Sequence, residues 1–303
     1  MSKYRELIAE ARSLVASNKI DSAIEKYQDA FDIDAEADDL IDLGFLYLEM
    51  KNYELAFPLF TTVVKSDSNN SRGFYALGLW YEEKEDYQKA IENLLIAISL
   101  DPFNPDIFFD IARIYEESGD CERAKASYLK VIALKQNHFW AHLNLGSIYE
   151  GENNLSMALE YTKKAYEIDR NMKMVAYNLG VIYGRMENYQ EAIKFYVQET
   201  SKSDGYYNAY YNLGIIYKDI FKDYKTAKLY FLQGISQNKE NYFCWYNLGC
   251  IYALDGNFLE TTNCLYYAIS GYLQLTDDVL SDKDLKEYIK SEEYQRLLKM
   301  TKK

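Results

Sequence analysis

One spacing constrains this chain more than anything else in it. A small residue recurs as Gly44, Gly78, Ala112, Gly146, Gly180 and Gly214, always 34 residues apart, and the tyrosines Tyr47, Tyr81, Tyr115, Tyr149, Tyr183 and Tyr217 keep the same step. Ala56, Ala90, Ala124, Ala158 and Ala192 repeat it again. A unit copied at fixed period folds as a stack of one supersecondary element, because a single copy cannot bury its own apolar face. A further copy, Asn247-Leu248-Gly249 with Tyr252, arrives after 35 residues, since the stretch from Lys218 to Tyr224 holds one extra residue before Ala227.

In each copy, apolar or small residues occupy unit positions 4, 7, 8 and 11, as Trp245, Leu248, Gly249 and Tyr252 do. At about 100° per residue these fall on one helical stripe. A second amphipathic run follows, with Ala192 and Tyr196 on its inner face. Between the two runs lie short turns such as Lys51-Asn52, Glu85-Asp86, Gly119-Asp120, Glu187-Asn188 and Gly256-Asn257. The predicted unit is a helical hairpin in which the Gly at position 8 and the Ala at position 20 let two backbones approach.

Leu-Gly with Tyr three residues beyond, then Ala, an aromatic residue and Ala on the second helix, resembles the tetratricopeptide repeat family over about nine-tenths of the chain. The resemblance implies an all-α fold, a right-handed superhelix (α-solenoid) of about eight helix-turn-helix repeats plus a C-terminal capping helix. The expected solenoid covers 1–271, with repeats at about 4–36, 37–70, 71–104, 105–138, 139–172, 173–206, 207–241 and 242–271, and the capping segment covers 272–303. The first repeat is degenerate but keeps Ala11, Leu14, Ala23, Tyr27 and Ala30 in place. The last segment is similar to the closing segment of many bacterial members. In it Asp284 is expected to N-cap a final helix, and Leu285, Tyr288, Ile289, Leu297 and Leu298 to seal the end of the stack.

Composition fits one elongated body. Only 3 Pro and 14 Gly punctuate 303 residues, and no Pro/Gly/Ser-rich linker marks a hinge. Most of the 31 Tyr follow from inward positions of the repeat. A net charge of −13 argues against nucleic acid and anionic membrane, which need a basic stripe. The charge-free run from Thr261 to Thr276 is too short and too polar to cross a bilayer. The start, Met1 to Glu6, leads into the first helix without an apolar core and cleavage site, so a cytoplasmic protein is expected. Cys121, Cys244, Cys250 and Cys264 form no CxxC pair, as fits reduced thiols.

Position 6 reads Asp42, Ala76, Asp110, Asn144, Asn178, Asn212 and Asn247 down the stack. With positions 4, 7, 8 and 11 facing the partner helix, positions 2, 5, 6, 9 and 13 lie about 150–180° away. In tetratricopeptide proteins that side lines the concave groove. The resemblance therefore implies partner binding by Asn144, Asn178, Asn212 and Asn247, since a carboxamide offers a donor and an acceptor to an extended peptide backbone. Similar Asn ladders bind peptides in the O-linked N-acetylglucosamine transferases. Tyr177, Tyr211 and Tyr246 at position 5, and Trp140 and Phe243 with Met174 at position 2, would flank the rungs with aromatic and apolar surface. Two alternatives stay open: Asn-Leu-Gly is habitual in this repeat, and position 5 can pack against the next repeat instead. Toward the N-terminal half, Asp38, Asp42, Asp106 and Asp110 would meet basic residues of a partner, or simply form a solvated acidic face.

Other functions find little support. The clamp by which some family members hold the C-terminal carboxylate of heat-shock chaperones needs Lys, Asn and Arg where this chain has Ile41, Phe45, Ala76, Asp106 and Asp110. No heat-shock carboxylate-clamp ligand is expected. His138 and His142 have metal-ligand spacing, but no carboxylate or Cys is placed by sequence to complete a site, so they read as a turn residue and a core residue. The glycines are embedded singly in helices, and no catalytic triad can be assembled. The chain thus reads as a non-catalytic protein- or peptide-binding scaffold or adaptor with no cofactor. The alternatives are a homo-oligomerising structural module and a regulatory subunit of a separate enzyme.

Overall fold

A computed structural model describes residues 2–202 and 205–301, and among the described residues there are helices and turns but no strand. Contacts divide the chain into two compact units, one ending at Ile148 and one beginning at Tyr149. The first contains α1 (Lys3–Ala16), α2 (Ile20–Phe31), α3 (Ala37–Glu49), α4 (Tyr53–Ser66), α5 (Ser71–Glu83), α6 (Tyr87–Leu100), α7 (Pro105–Glu117) and α8 (Cys121–Leu134). The division falls within α9 (Phe139–Gly151). The second unit contains α10 (Leu155–Ile168), α11 (Val175–Arg185), α12 (Tyr189–Thr200), α13 (Asn208–Ile215), α14 (Tyr224–Gln237), α15 (Tyr242–Leu254), α16 (Phe258–Gly271), α17 (Leu275–Ser281) and α18 (Glu292–Thr301). Consecutive helices pair as hairpins, α1 with α2 through α7 with α8 in the first unit, and α11 with α12 through α15 with α16 in the second.

One turn closes every hairpin. Asn18, Lys51, Glu85, Gly119, Asn153, Glu187, Lys222 and Gly256 all adopt left-handed backbone, φ between 55° and 81°. The residue after each turns its N–H back to a carbonyl of the finished helix, as Asp86 does to Tyr81 (3.0 Å), Asn188 to Tyr183 (2.9 Å) and Asn257 to Tyr252 (2.8 Å). The side chain of that same residue then accepts the N–H three places on, from Lys89, Glu191 and Glu260 respectively. In six of the eight hairpins a single Asp or Asn thus ends one helix and starts the next, while Lys19 and Asn52 make no such side-chain bond.

In the first seven hairpins the Ala at position 20 is wholly buried, from Ala23 through Ala227, and the buried Thr261 takes its place in the eighth. The small residue at position 8 has a different reason from the one its sequence spacing suggests. A Cβ on Gly180 would lie 2.5 Å from the ring of Tyr196, one on Gly78 would lie 2.7 Å from Leu94, and one on Gly214 would collide with Phe231. Glycine here makes room for a large inward side chain of the second helix rather than for its backbone. Those side chains are the core: Tyr27, Phe60, Leu94 and Tyr128 in the first unit, and Tyr196 and Phe231 in the second, are buried.

Three segments depart from the pattern. α11 begins at Val175, and Met174 before it is left-handed (φ 70°), its N–H donating 2.9 Å to the buried carboxylate of Glu199. Met174 therefore precedes the helix instead of presenting itself from its second position. α13 runs into a π-helical turn over Ile216–Ile220, which absorbs the extra residue of that repeat. After α16 the chain forms α17, short turns at Lys283–Leu285 and Tyr288–Lys290, and α18, whose Leu285, Tyr288 and Leu297 are buried with Leu275 and Val279. Asp284 does not cap the last helix. Asp282 caps the turn, its Oδ1 accepting the Asp284 N–H at 2.8 Å, and the Asp284 carboxylate serves elsewhere.

Gly214→Ala is expected to keep the helical circular dichroism spectrum while lowering stability by about 1–3 kcal/mol, because the buried Phe231 ring must shift. Urea denaturation measures the difference.

Candidate functional site

In the first unit the acidic face is largely neutralised from within. Arg12 holds Asp39 at 2.8 Å and Asp42 at 3.0 Å, while Arg72 bonds Asp38 at 2.9 Å and also reaches Asp42. Further along, Arg113 pairs with Glu82, and the Tyr75 hydroxyl donates to Asp110 at 2.6 Å. Burial pushes the Asp110 carboxyl above its ordinary range, against the opposing pull of Tyr75 and Arg113, and Asp106 beside it pushes the same way. Trp140 stands 47% exposed on α9.

The carboxamides proposed as rungs have unequal partners. Asn144 donates at 2.9 Å to the hydroxyl of Tyr128, which in turn donates at 2.8 Å to Glu116. Asn212 donates at 3.0 Å to Tyr196, again sixteen residues earlier, and at 3.3 Å to Tyr177. The residue at the same offset from Asn178 is the buried Thr162, too short to meet it, and Asn178 has no side-chain hydrogen bond among the described residues. For Asn247 the counterpart is Phe231, which has no hydroxyl. Its carboxamide is 7% exposed, donates to the Phe243 carbonyl at 3.0 Å, and accepts from Lys218 at 3.0 Å. Position 5 likewise reaches the next hairpin: Tyr75 bonds Asp110, and Tyr177 accepts from Asn212. Position 6 is thus first a staple between hairpins wherever the previous second helix offers a tyrosine.

An open cleft of about 330 Å³ gathers Tyr211, Phe243, Tyr246 and Asn247 with Leu275, Asp278, Ser281 and Asp282 of the closing segment. Phe243 is 46% exposed and lies between Tyr211 (ring centroids 6.0 Å) and Tyr272 (5.5 Å). Tyr246 is buried at the wall, its hydroxyl donating to Asp282 at 3.1 Å. Tyr177 and Asn178 are half-buried on α11, and the Tyr177 ring meets Tyr206 at 4.8 Å.

Behind the cleft sits a charge that sequence spacing does not reveal. The π-helical turn carries Lys218 inward to 5% exposure, where its ammonium contacts Asn247, Asp284 at 3.2 Å and Asp219 at 3.5 Å. Cys250, fully buried, donates to Asp282 at 3.5 Å, and its thiol is pushed well up by burial and then by that carboxylate. The one signal in the sequence was the 35-residue step, which marks where the register changes but not which side chain turns in.

The two histidines have local roles. His138 Nδ1 accepts the Ala141 N–H at 3.1 Å at the start of α9, and His142 is buried with Nε2 2.9 Å from the Gln136 carbonyl. Among the described residues no group of His, Cys, Asp and Glu is arranged to hold a metal ion, and no helix is long and apolar enough to cross a membrane.

Profiles described as tetratricopeptide repeat match residues 41–105, then 105–138, 141–172 and 207–241, and 175–205. No curated protein matches the chain. Among solved structures, PilF of Pseudomonas aeruginosa is similar at 21% identity and a TM-score of 0.60, covering 69% of this chain and 94% of PilF. A tetratricopeptide repeat protein from Parabacteroides merdae is similar at 16% identity and a TM-score of 0.57, covering 88% and 98%. YrrB, described as a tetratricopeptide repeat protein with an unusual peptide-binding site, is similar at 21% identity and a TM-score of 0.52, covering 61% and 96%. These likenesses show a shared fold.

The unequal partners set separate expectations for the rungs. Asn212→Ala should lower stability by about 0.5–1.5 kcal/mol, whereas Asn178→Ala, which breaks no bond in the fold, should stay within about 0.5 kcal/mol of the parent in the same urea titration. Lys218→Met removes the cation from Asp284 and the donor from Asn247, with an expected cost of about 3 kcal/mol. Adding Asp284→Asn should restore part of it.

Proposed function

Because this chain belongs to the tetratricopeptide repeat family, we propose that it is a non-catalytic scaffold of the cytoplasm that holds a segment of a partner protein against the helix faces carrying positions 2, 5 and 6. The observation that carries this reading is the cleft of the second unit. There Tyr211, Phe243, Tyr246 and Asn247, chosen from repeat position alone, line one depression, with Phe243 open to solvent. Aromatic faces beside a few fixed polar groups suit an extended peptide. Of the carboxamides, Asn178 keeps both its donor and its acceptor for a ligand backbone, and Asn144 and Asn212 keep their oxygens. The peptide-binding site described for YrrB, on the same fold, supports a peptide as the ligand class.

Basic side chains of the partner would meet the first unit at Asp106 and Asp110, since Arg12 and Arg72 already pair with Asp38, Asp39 and Asp42. Trp140 is the aromatic anchor on that unit. A second reading, self-association, is favoured by one observation: Leu229, 56% exposed, lies with Leu232 and Tyr224 along an open apolar depression on α14.

The test pairs Asn178→Ala with Phe243→Ala. Affinity capture from the native lysate should lose the partner while circular dichroism stays unchanged, because one lost carboxamide removes about 0.5–1.5 kcal/mol of hydrogen bonding and the ring removes a contact face. Undiminished capture by the folded double variant would sink the groove reading. Light scattering that gives a mass rising with concentration, and falling in a Leu229→Glu variant, would favour self-association.

A further inference from the structure

We propose that the closing segment is half of a ligand site: Asp278 and Asp282, facing Tyr211 and Phe243 across the cleft of the second unit, form a subsite for one positively charged side chain, arginine or lysine, of a bound peptide. This rests on the peptide-binding reading above and assigns the segment a role beyond sealing the stack.

Leu275, Asp278 and Asp282 recur at the spacing of one helical face along α17 and its end, and all three line the cleft. Leu275 is buried and anchors that face, while Asp278 is exposed. Neither lining carboxylate has a cationic partner among the described residues. Asp282 accepts from neutral donors, the Tyr246 hydroxyl at 3.1 Å, the Cys250 thiol at 3.5 Å and the Asp284 N–H at 2.8 Å. The buried ammonium of Lys218 is already engaged by Asn247, Asp284 and Asp219. Two carboxylates at the cleft therefore lack a counter-charge. Their field is visible in the neighbouring acids: burial and Cys250, then Asp282 and Asp278, hold the Tyr246 hydroxyl above its ordinary range.

Aromatic placement completes the argument. Phe243 presents an exposed face between Tyr211 and Tyr272, and a cation over such a face gains from the ring quadrupole as well as from the carboxylates. An anionic group in the cleft would be repelled by both aspartates. A neutral side chain would leave them without a counter-charge. Charge complementarity thus commits the cleft to a cationic side chain.

The experiment uses the full chain and two fluorescein-labelled nonapeptide pools, randomised except for a central arginine in one and a central citrulline, its neutral isostere, in the other. Fluorescence polarisation should report about tenfold tighter binding of the arginine pool, weakening as salt rises. Asp278→Asn, which breaks no contact in the fold, should abolish most of that preference, and Glu25→Gln, at an exposed position of α2 outside the proposed binding faces, should leave it intact. Equal binding of the two pools, or an arginine preference unchanged by Asp278→Asn, overturns the proposal. If Phe243→Ala still weakens both pools in that event, the peptide-binding reading stands without it. Absence of binding by either pool overturns both.

Discussion

The helical hairpins close on one recurring contact, a large side chain of the second helix seated over a residue with little or no side chain on the first. Tyr196 over Gly180 and Phe231 over Gly214 are two instances. The seat fixes how closely the helices approach, and the approach fixes where the opposite side of the first helix points. Overpacking at the seat would move that outer face along with the core. Stability and the geometry of any binding surface are coupled through the same few atoms.

The seated ring does more than fill space. Where it is a tyrosine, its hydroxyl emerges within reach of the next hairpin, and Asn144 and Asn212 bond to it. Where it is threonine or phenylalanine that bond is impossible, so Asn178 stays open and Asn247 turns to Lys218. A core tyrosine on one hairpin thus gives the asparagine sixteen places later a bond within the fold, and a threonine or phenylalanine there leaves that asparagine to another partner or to none.

This explains which parts of the molecule were legible in the sequence. The hairpins, their turns and the family follow from a period and a helical stripe, signals carried by many residues at once. Grouping Tyr211, Phe243, Tyr246 and Asn247 also follows from position in the repeat. What periodicity cannot state is a pairwise bond between unlike residues of neighbouring units, so four identical asparagines looked equivalent when their partners made them different. The same limit hid the pairing of Arg12 and Arg72 with Asp38, Asp39 and Asp42, and it made Asp284 look like a helix cap when its carboxylate answers Lys218.

Of the two departures from the 34-residue period, the 33-residue step after the first repeat and the 35-residue step near α13, the second shapes the surroundings of the cleft. One added residue widens the end of α13 into a π-helical turn, and Lys218 within it is buried beside Asn247 of α15 and Asp284 of the closing segment. Burying an ammonium is tolerable only with carboxylates supplied, and Asp284 and Asp219 supply them. Asp284 follows Asp282 by two residues, so the ion pair that secures the buried charge also sets the position of the carboxylate that lines the cleft. An insertion in one repeat and a departure from the repeat pattern at the end of the chain are therefore two halves of one arrangement. The irregular residues, not the repeated ones, give this surface its charge.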